Sequence, residues 1–121
     1  MLPAPNRLTR REDFATAVRQ GRRAARRTLV VHLARSPSPP TLAARGPVSP
    51  VVPRVGFVVG RSVGGAVIRH RVQRQLRHLM RSRLGVLPGD AVVVVRAQPA
   101  AAGANSAALG ADLDIALRRL A

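Results

Sequence analysis

The sequence predicts a small α+β domain in which helices pack on a central mixed sheet. Its 121 residues suit one hydrophobic core and one domain, 1–121. Short β-branched runs bounded by Gly and Pro predict strands, and apolar residues at spacings of three and four predict amphipathic helices. A strand–helix–strand unit lies at the centre of the chain, which is typical of an α+β architecture.

The first half of the chain predicts one helix, one strand and one loop. Thr9 and Glu12 have the spacing of a capping box, and apolar residues then recur at helical spacing, so a helix is expected over 9–19. The run "RRTLVVHLARS", 26–36, predicts a strand. The proline-rich segment 37–53 lacks ladder donors and predicts a long flexible loop.

The second half predicts the central unit and a closing helix. "RVGFVVGRS", 54–62, predicts a strand, and the turn 63–66 leads into a helix over 66–83. "AVVVVRA", 91–97, is continuously apolar, which indicates a strand buried on both faces. "ALGADLDIALRRL", 108–120, predicts a short final helix.

The charge balance predicts a polyanionic partner. All 21 cationic Lys/Arg positions are arginine, against five Asp and Glu, and the formal net charge is +16. Nucleic acid and an anionic membrane surface are the candidates. The chain has no apolar run long enough to span a bilayer and no signal peptide at its start, so we expect a soluble, cytoplasmic protein that binds no membrane. It has no cysteine, which excludes disulfides and thiolate metal sites.

The predicted helix at 66–83 separates apolar from basic residues. The apolar residues share one side and predict a core-facing stripe: Ile68, Val72, Leu76, Leu79 and Met80. Four cationic or titratable residues follow the i, i+4, i+7, i+11 pattern on the opposite side, and we call them the arginine ridge: His70, Arg74, Arg77 and Arg81. Arg69 and Arg71 flank the ridge near the start of the helix. A solvated polar face is the alternative, but a single sign of charge with no acid in the helix favours an anion-binding surface.

The glycine-rich turn before this helix predicts a polymer backbone as the ligand. "GRSVGGA" leaves backbone N–H groups at a helix start, where an anion is stabilised. It is not a phosphate-binding loop of nucleotide hydrolases, because Ala66 stands where that motif needs Lys, and it lacks the dinucleotide pattern GxGxxG. We therefore expect no small-molecule cofactor.

The acidic residues predict no catalytic or metal site in the chain itself. Glu12 and Asp13 suit a helix start, and Asp90 lies in a "PGD" turn. Asp112 and Asp114 are two apart on a helix and do not share a face. Hydrolysis by two metal ions needs clustered carboxylates, so none of these residues is expected to be catalytic.

The run "GRSVGGAVIRHRVQRQLRHLMR" resembles the signature of the protein subunit of bacterial ribonuclease P. The matching positions are Arg61, Gly64, Ala66, Val67, Arg69, Arg71, Arg74 and Arg77. "NRLTRREDFATAVRQGRR", "RRTLVVHLA" and "RVGFVVGRSVG" are similar to the first helix and strands of that family. The chain departs from the family pattern where Gly65 and His70 replace Asn and Gln73 replaces Lys. Val18 and His32 stand where aromatic side chains are frequent.

The resemblance implies a fold and a function. The fold is a small α/β sandwich with a left-handed strand–helix–strand crossover, like the second domain of ribosomal protein S5. The function is that of an RNA-binding subunit of the endonuclease that removes the 5′ leader of precursor tRNA. In the family the RNA subunit performs the Mg²⁺-dependent hydrolysis, while the protein binds that RNA and the leader and strengthens substrate and metal binding. A structural RNA-binding protein of ribosomal type, or an RNA chaperone, is the alternative.

The resemblance and the ridge together give two sets of site residues. The expected contacts to the catalytic RNA are Arg61, Arg69, His70, Arg71, Arg74, Arg77 and Arg81. The expected lining of a leader groove between the first helix and the sheet is Arg10, Arg11, Phe14, Val18, His32 and Phe57. Core packing is an equally good explanation of Phe14, and the two roles are compatible.

Overall fold

Four strands form one mixed sheet with helices on both of its faces. The computed structural model describes residues 11–35 and 52–120. Its helices and strands are, in chain order, α1 (Arg11–Gln20), β1 (Arg22–Ala25), β2 (Leu29–Arg35), β3 (Arg54–Val58), α2 (Ala66–Arg81), β4 (Ala91–Ala97) and α3 (Ser106–Leu120). Short 3₁₀ turns follow α2 and β4, at Leu84–Val86 and Pro99–Gly103.

The strands are ordered β1-β2-β4-β3 across the sheet. β4 lies between an antiparallel partner, β2, and a parallel partner, β3. The chain therefore runs from β3 through α2 to the neighbouring parallel strand β4, which is the predicted strand–helix–strand unit. The left hand of this crossover stays an expectation from the family.

The two faces of the sheet differ in how much they bury. Because side chains alternate along a strand, β4 sends Val93 and Val95 to one face and Val92 and Val94 to the other. The first face is covered by α2 and α3 and holds the main core, with Leu76, Leu109 and Leu113 among its fully buried residues. The second face carries a small cluster beneath α1. The prediction that β4 is buried on both sides is confirmed.

Most predicted elements are confirmed, with shifted ends. The helix at 66–83 ends at Arg81, the strand at 54–62 ends at Val58, and β4 spans 91–97 as predicted. The strand predicted over 26–36 starts at Leu29, because residues 26–28 form the turn of a hairpin. Residue 9 of the capping box and residues 37–51 of the proline-rich segment lie outside the described residues.

The sequence analysis missed β1. Its four residues, RRAA, bury only Ala24 and show no apolar alternation. The strand forms because β2 offers it a partner edge and because the chain turns sharply after α1. A Cβ atom on Gly21 would lie 2.3 Å from the Ala17 carbonyl oxygen and 2.8 Å from that of Leu33, so only glycine fits this turn.

Polar bonds anchor α3 to the rest of the fold. Asp112 Oδ2 accepts hydrogen bonds from the backbone N–H and the hydroxyl of Thr28, at 3.1 and 2.6 Å. Asp112 Oδ1 accepts one from Arg26 Nε at 3.3 Å. Asp114 receives a two-pronged contact from Arg83, with Nε–Oδ1 2.6 Å and Nη2–Oδ2 3.2 Å. These bonds tie the hairpin turn and the end of α2 to one helix.

Candidate nucleic-acid interface

Helix α2 places its basic residues by the same periodicity that places its apolar residues. Val72, Leu76 and Met80 are fully buried, and Ile68 and Leu79 pack partly buried against the main core. The opposite side of the helix is exposed at every position of the arginine ridge. The predicted ridge is therefore a continuous, solvent-facing row about three turns long.

The charge of the ridge is not neutralised within the described part of the chain. No ion pair there involves a ridge residue, and α2 contains no acid. Like charges at helical spacings of three and four oppose folding by a few tenths of a kcal/mol each, about 0.2–0.5. A polyanion that binds along the ridge would remove this repulsion.

The start of α2 is open. Gly65 precedes the helix without a side-chain cap, and the first turn carries no acid. Gly64 has φ +157°, and a Cβ there would lie 3.0 Å from the Ile68 side chain. Glycine at position 64 therefore lets the turn lie close against the helix, and Gly65 leaves the first backbone N–H groups without a side-chain acceptor.

The two arginines that flank the ridge lie on different sides of α2. Arg71 Nη2 donates to the Ala102 carbonyl oxygen at 2.5 Å, beside the 3₁₀ turn that precedes α3. Arg69 lies two residues earlier, about 200° around the helix axis, and is half-buried with its Nε unpartnered among the described residues. Arg61 is exposed in the turn before the helix. The expected site thus spreads over three sides of one helix start.

The groove predicted beside the first helix would lie on the α1 face of the sheet, and it stays a prediction. On that face α1 packs over β1, β2 and β4, while β3 is the edge strand beyond β4. Phe14 packs partly buried on Val92 and Val94. Val18 on α1 is 43% exposed, and His32 is buried in β2 directly opposite Val94.

Three of the predicted groove residues need separate treatment. Phe57 is not in the groove: it pairs with Val95, so its side chain lies on the other face and packs against the main core. Its predicted place beside Phe14 is wrong, because the alternation along β3 points it to the opposite side. Arg10 lies outside the described residues, as does the side chain of Arg11.

The sequence analysis missed two cations that lie on the same face of the sheet as His32. Arg23 is the cross-strand partner of His32, and Arg96 alternates with Val94 on β4 and so shares its face. Both arginines are exposed. Burial, and then the guanidinium groups of Arg23 and Arg96, hold the pKa of His32 below its usual value of 6.5. We use the name α1 groove for Phe14, Val18, Arg23, His32 and Arg96.

The described carboxylates are engaged in ion pairs and do not form a metal site. Asp90 pairs with Arg35, with Oδ1–Nε 2.5 Å, while Asp112 and Asp114 bind the arginines that anchor α3. Hydrogen bonds from Thr28 to Asp112 and from Arg83 to Asp114 hold the pKa of each carboxyl below its usual value. Within residues 11–35 and 52–120, no three His or acidic side chains gather as metal ligands. The described residues do not fit a Mg²⁺ site.

Known proteins share both the sequence and the fold. A family model described as ribonuclease P matches residues 2–121. A ribonuclease P protein component from Streptomyces avermitilis is 58% identical over 120 residues, covering 99% of this chain and 95% of that protein. The chain belongs to the family of ribonuclease P protein components. One from Mycobacterium avium is 46% identical over 120 residues, covering 99% of this chain and 95% of that protein.

Solved ribonuclease P proteins have the same fold at low identity. The protein from Thermotoga maritima superimposes with a TM-score of 0.70 at 22% identity, covering 93% of this chain and 96% of that one. The protein from Staphylococcus aureus gives 0.73 at 19% identity, covering 93% of both chains. The predicted α+β class and mixed sheet are confirmed.

Membership in the ribonuclease P family fixes the coarse function. The chain is a subunit of a ribonucleoprotein endonuclease of tRNA processing, and its partner is the ribonuclease P RNA. The alternative of a ribosomal-type protein or RNA chaperone is not favoured. Within the described residues, no helix has the length and apolar character that a membrane span requires.

Proposed function

We propose that the arginine ridge binds the ribonuclease P RNA and that the α1 groove holds the single-stranded 5′ leader of precursor tRNA. The observation that carries the first part is the ridge itself, an exposed cationic row without an acidic partner in the described chain. Arginine suits this role because its planar fork of donors grips phosphate oxygens in pairs. Counterion release from the RNA then supplies most of the affinity.

The open start of α2 supports a focused contact at one end of the ridge. Arg61 is exposed in the turn before the helix, the N–H groups after Gly65 have no side-chain cap, and the half-buried Arg69 flanks them. A phosphate at this point is stabilised by backbone dipoles as well as by side-chain charge. Arg71 contributes from the other flank, where its bond to the Ala102 carbonyl fixes the orientation of the guanidinium.

The proposed division of labour leaves hydrolysis to the RNA. The described carboxylates of this chain are already bound to arginines, so they are not free to hold catalytic Mg²⁺. In the proposed holoenzyme, the RNA subunit carries the Mg²⁺ that activates water. The protein lowers the Mg²⁺ requirement because it neutralises phosphates that metal ions would otherwise screen.

Reconstitution tests this function. The purified chain is added to a ribonuclease P RNA at a Mg²⁺ concentration too low for the RNA alone, and mature tRNA 5′ ends are mapped. We expect the mixture to cleave at the mature 5′ end and the nuclease-free chain without RNA to cleave at no Mg²⁺ concentration. Specific 5′ maturation by the chain alone would refute the division of labour, and failure to activate the RNA would refute the proposed role.

A further inference from the structure

Three polar side chains converge on one patch of the α1 groove. Arg23 stands directly opposite His32 across the β1–β2 pair, where Cβ atoms are typically about 4.5–5.5 Å apart. Arg96 is diagonal to His32 across the β2–β4 pair, about 7–8 Å away by the same geometry. Two long guanidinium side chains therefore border one buried imidazole on the same face of the sheet.

The two arginines are free to bind an external anion. Both are exposed, and within residues 11–35 and 52–120 neither one forms an ion pair. Asp112 and Asp114 lie on α3, across the sheet from this patch, and Asp90 is paired with Arg35. The described side chains of α1 that pack on this face, Phe14 and Ala17, carry no charge.

The buried base of the patch is a polar side chain that lacks a hydrogen-bond partner. His32 is only 4% exposed, and its Nδ1 has no hydrogen-bond partner in the described part of the chain. Both guanidinium groups act on this imidazole, since each helps to lower its pKa. The patch is thus a point of concentrated positive potential with an unsatisfied polar group beneath it.

The same patch is a poor platform for a base. An imidazole that is 96% buried offers almost no ring face for stacking, Phe14 is half-buried against the sheet, and the exposed apolar side chains of Val18 and Val58 are aliphatic. Bases in single strands are held mainly by stacking on aromatic rings, whereas arginine binds phosphate in a fork geometry. The chemistry of the patch therefore favours the backbone of a nucleic acid over its bases.

We propose that Arg23 and Arg96, with His32 between them, form a clamp for one backbone phosphate of the leader, so that this chain reads the leader backbone and not a base at that point. The inference rests on the proposed function, in which the leader lies in the α1 groove. It assigns a chemical class to the contact, a single-strand phosphodiester, and names the side chains that hold it.

The test uses the reconstituted holoenzyme and a set of precursor tRNAs with modified leaders. In one series each leader phosphate in turn is replaced by an uncharged methylphosphonate. In the other series each leader nucleotide in turn is abasic. The modified nucleotides of both series carry 2′-deoxyribose. Affinity is measured for the wild-type chain, Arg23→Gln, Arg96→Gln and the control Arg118→Gln, which removes an exposed charge on α3. Thermal melts verify that the variants fold.

We expect one leader linkage whose methylphosphonate weakens wild-type binding about tenfold, in line with a lost charge-assisted hydrogen bond. Arg23→Gln and Arg96→Gln should each weaken leader-dependent binding by a similar factor and abolish the sensitivity to that linkage. Arg118→Gln should keep the sensitivity to that linkage. An abasic change at the nucleotide next to the linkage should leave wild-type binding unchanged. Loss of affinity on the abasic change, or unchanged binding by both arginine variants, would overturn the clamp. If wild-type holoenzyme binds leader-bearing and leaderless tRNA equally well, the proposed leader groove itself is wrong.

Discussion

The two faces of the sheet differ in what their charges do. On the face beneath α2 and α3, the main core is bordered by arginines bound to aspartates, such as Arg26 to Asp112 and Arg83 to Asp114. On the face beneath α1, the buried cluster is small, and Arg23 and Arg96 have no acidic partner among the described residues. Arginine therefore holds elements together around the main core, whereas Arg23 and Arg96 on the α1 face, like the ridge on the outer side of α2, have no acidic partner among the described residues.

The chain carries a net charge of +16, and its described acids lie where they hold elements together. Two of the five acids, Asp112 and Asp114, lie at junctions between elements, where α3 meets the β1–β2 turn and the end of α2. Exposed arginines with no ion pair among the described residues lie in the α1 groove and on the arginine ridge. Self-repulsion there is modest in water and disappears when phosphates bind.

The largest effect is expected from removing the acid that anchors the hairpin turn. Asp112→Ala leaves the Thr28 N–H and hydroxyl, in a residue only 5% exposed, without their acceptor and frees Arg26. We expect a loss of about 3 kcal/mol in the free energy of unfolding, measured by urea denaturation. Asp112→Asn, which keeps an acceptor oxygen, should lose about half as much. Equal stability of Asp112→Ala and the wild type would show that this junction does not hold the fold.

Substitution of two neighbouring valines of β4 compares the stability that each face of the sheet contributes. Val93 and Val94 are both fully buried, Val93 in the main core and Val94 beneath α1. Val93→Ala should cost about 2.5 kcal/mol and Val94→Ala about 1.5, because the smaller cluster collapses more easily around the lost methyl groups. Urea denaturation of the two variants measures the difference. A larger loss for Val94→Ala would reverse the ranking of the two faces.

Arg83, just after α2, and Arg77, within it, allow a paired charge to be compared with an unpaired one. Arg83→Gln breaks the contact to Asp114 and the bond to the Leu79 carbonyl, and we expect a loss of about 1.5 kcal/mol. Arg77→Gln touches only the exposed ridge and should change stability by less than about 0.5 kcal/mol. Binding to ribonuclease P RNA should respond in the opposite order. The same ranking in both measurements would contradict the separation of roles.

The smallest effect is expected on mild acidification. The folded-state pKa of His32 lies below 6.5, so its contribution to stability is fully present above pH 6.5 and is lost as pH falls through the lowered value. Asp112 and Asp114 also have lowered pKa values, so their contribution is lost only below about pH 3.8. Urea denaturation at a series of pH values should show two separate losses, and His32→Phe should remove part of the first. An unchanged first loss in that variant would assign it to other groups.

Helix α2 and strand β4 could be predicted because their patterns are local. The spacing of Ile68, Val72 and Leu76 determines which side of α2 is buried, and the ridge follows by geometry. The run 91–97 is apolar throughout, which needs cover on both faces wherever the strand lies. Neither inference depends on which strands are neighbours.

The set of side chains in the α1 groove could not be predicted from the sequence, because it depends on strand order and register. Arg23 meets His32 only because β1 pairs with β2, and Phe57 leaves the groove only because of its register with Val95. A shift of one residue in either pairing would exchange the faces. The short, arginine-rich sequence of β1 gives no periodic signal of its own, so its cations could not be assigned to a face of the sheet.

The most direct test of the central claim is the salt dependence of binding to ribonuclease P RNA. Three ridge arginines are changed together, Arg74, Arg77 and Arg81 to Gln, and compared with a triple change of exposed arginines elsewhere, Arg27, Arg118 and Arg119 to Gln. If the ridge contacts the RNA, the ridge variant binds more weakly than the control, and its log–log salt slope is shallower by about 0.7–0.9 for each lost phosphate contact. Equal affinity and slope for the two variants would mean that only net charge matters and that the ridge is a solvated face.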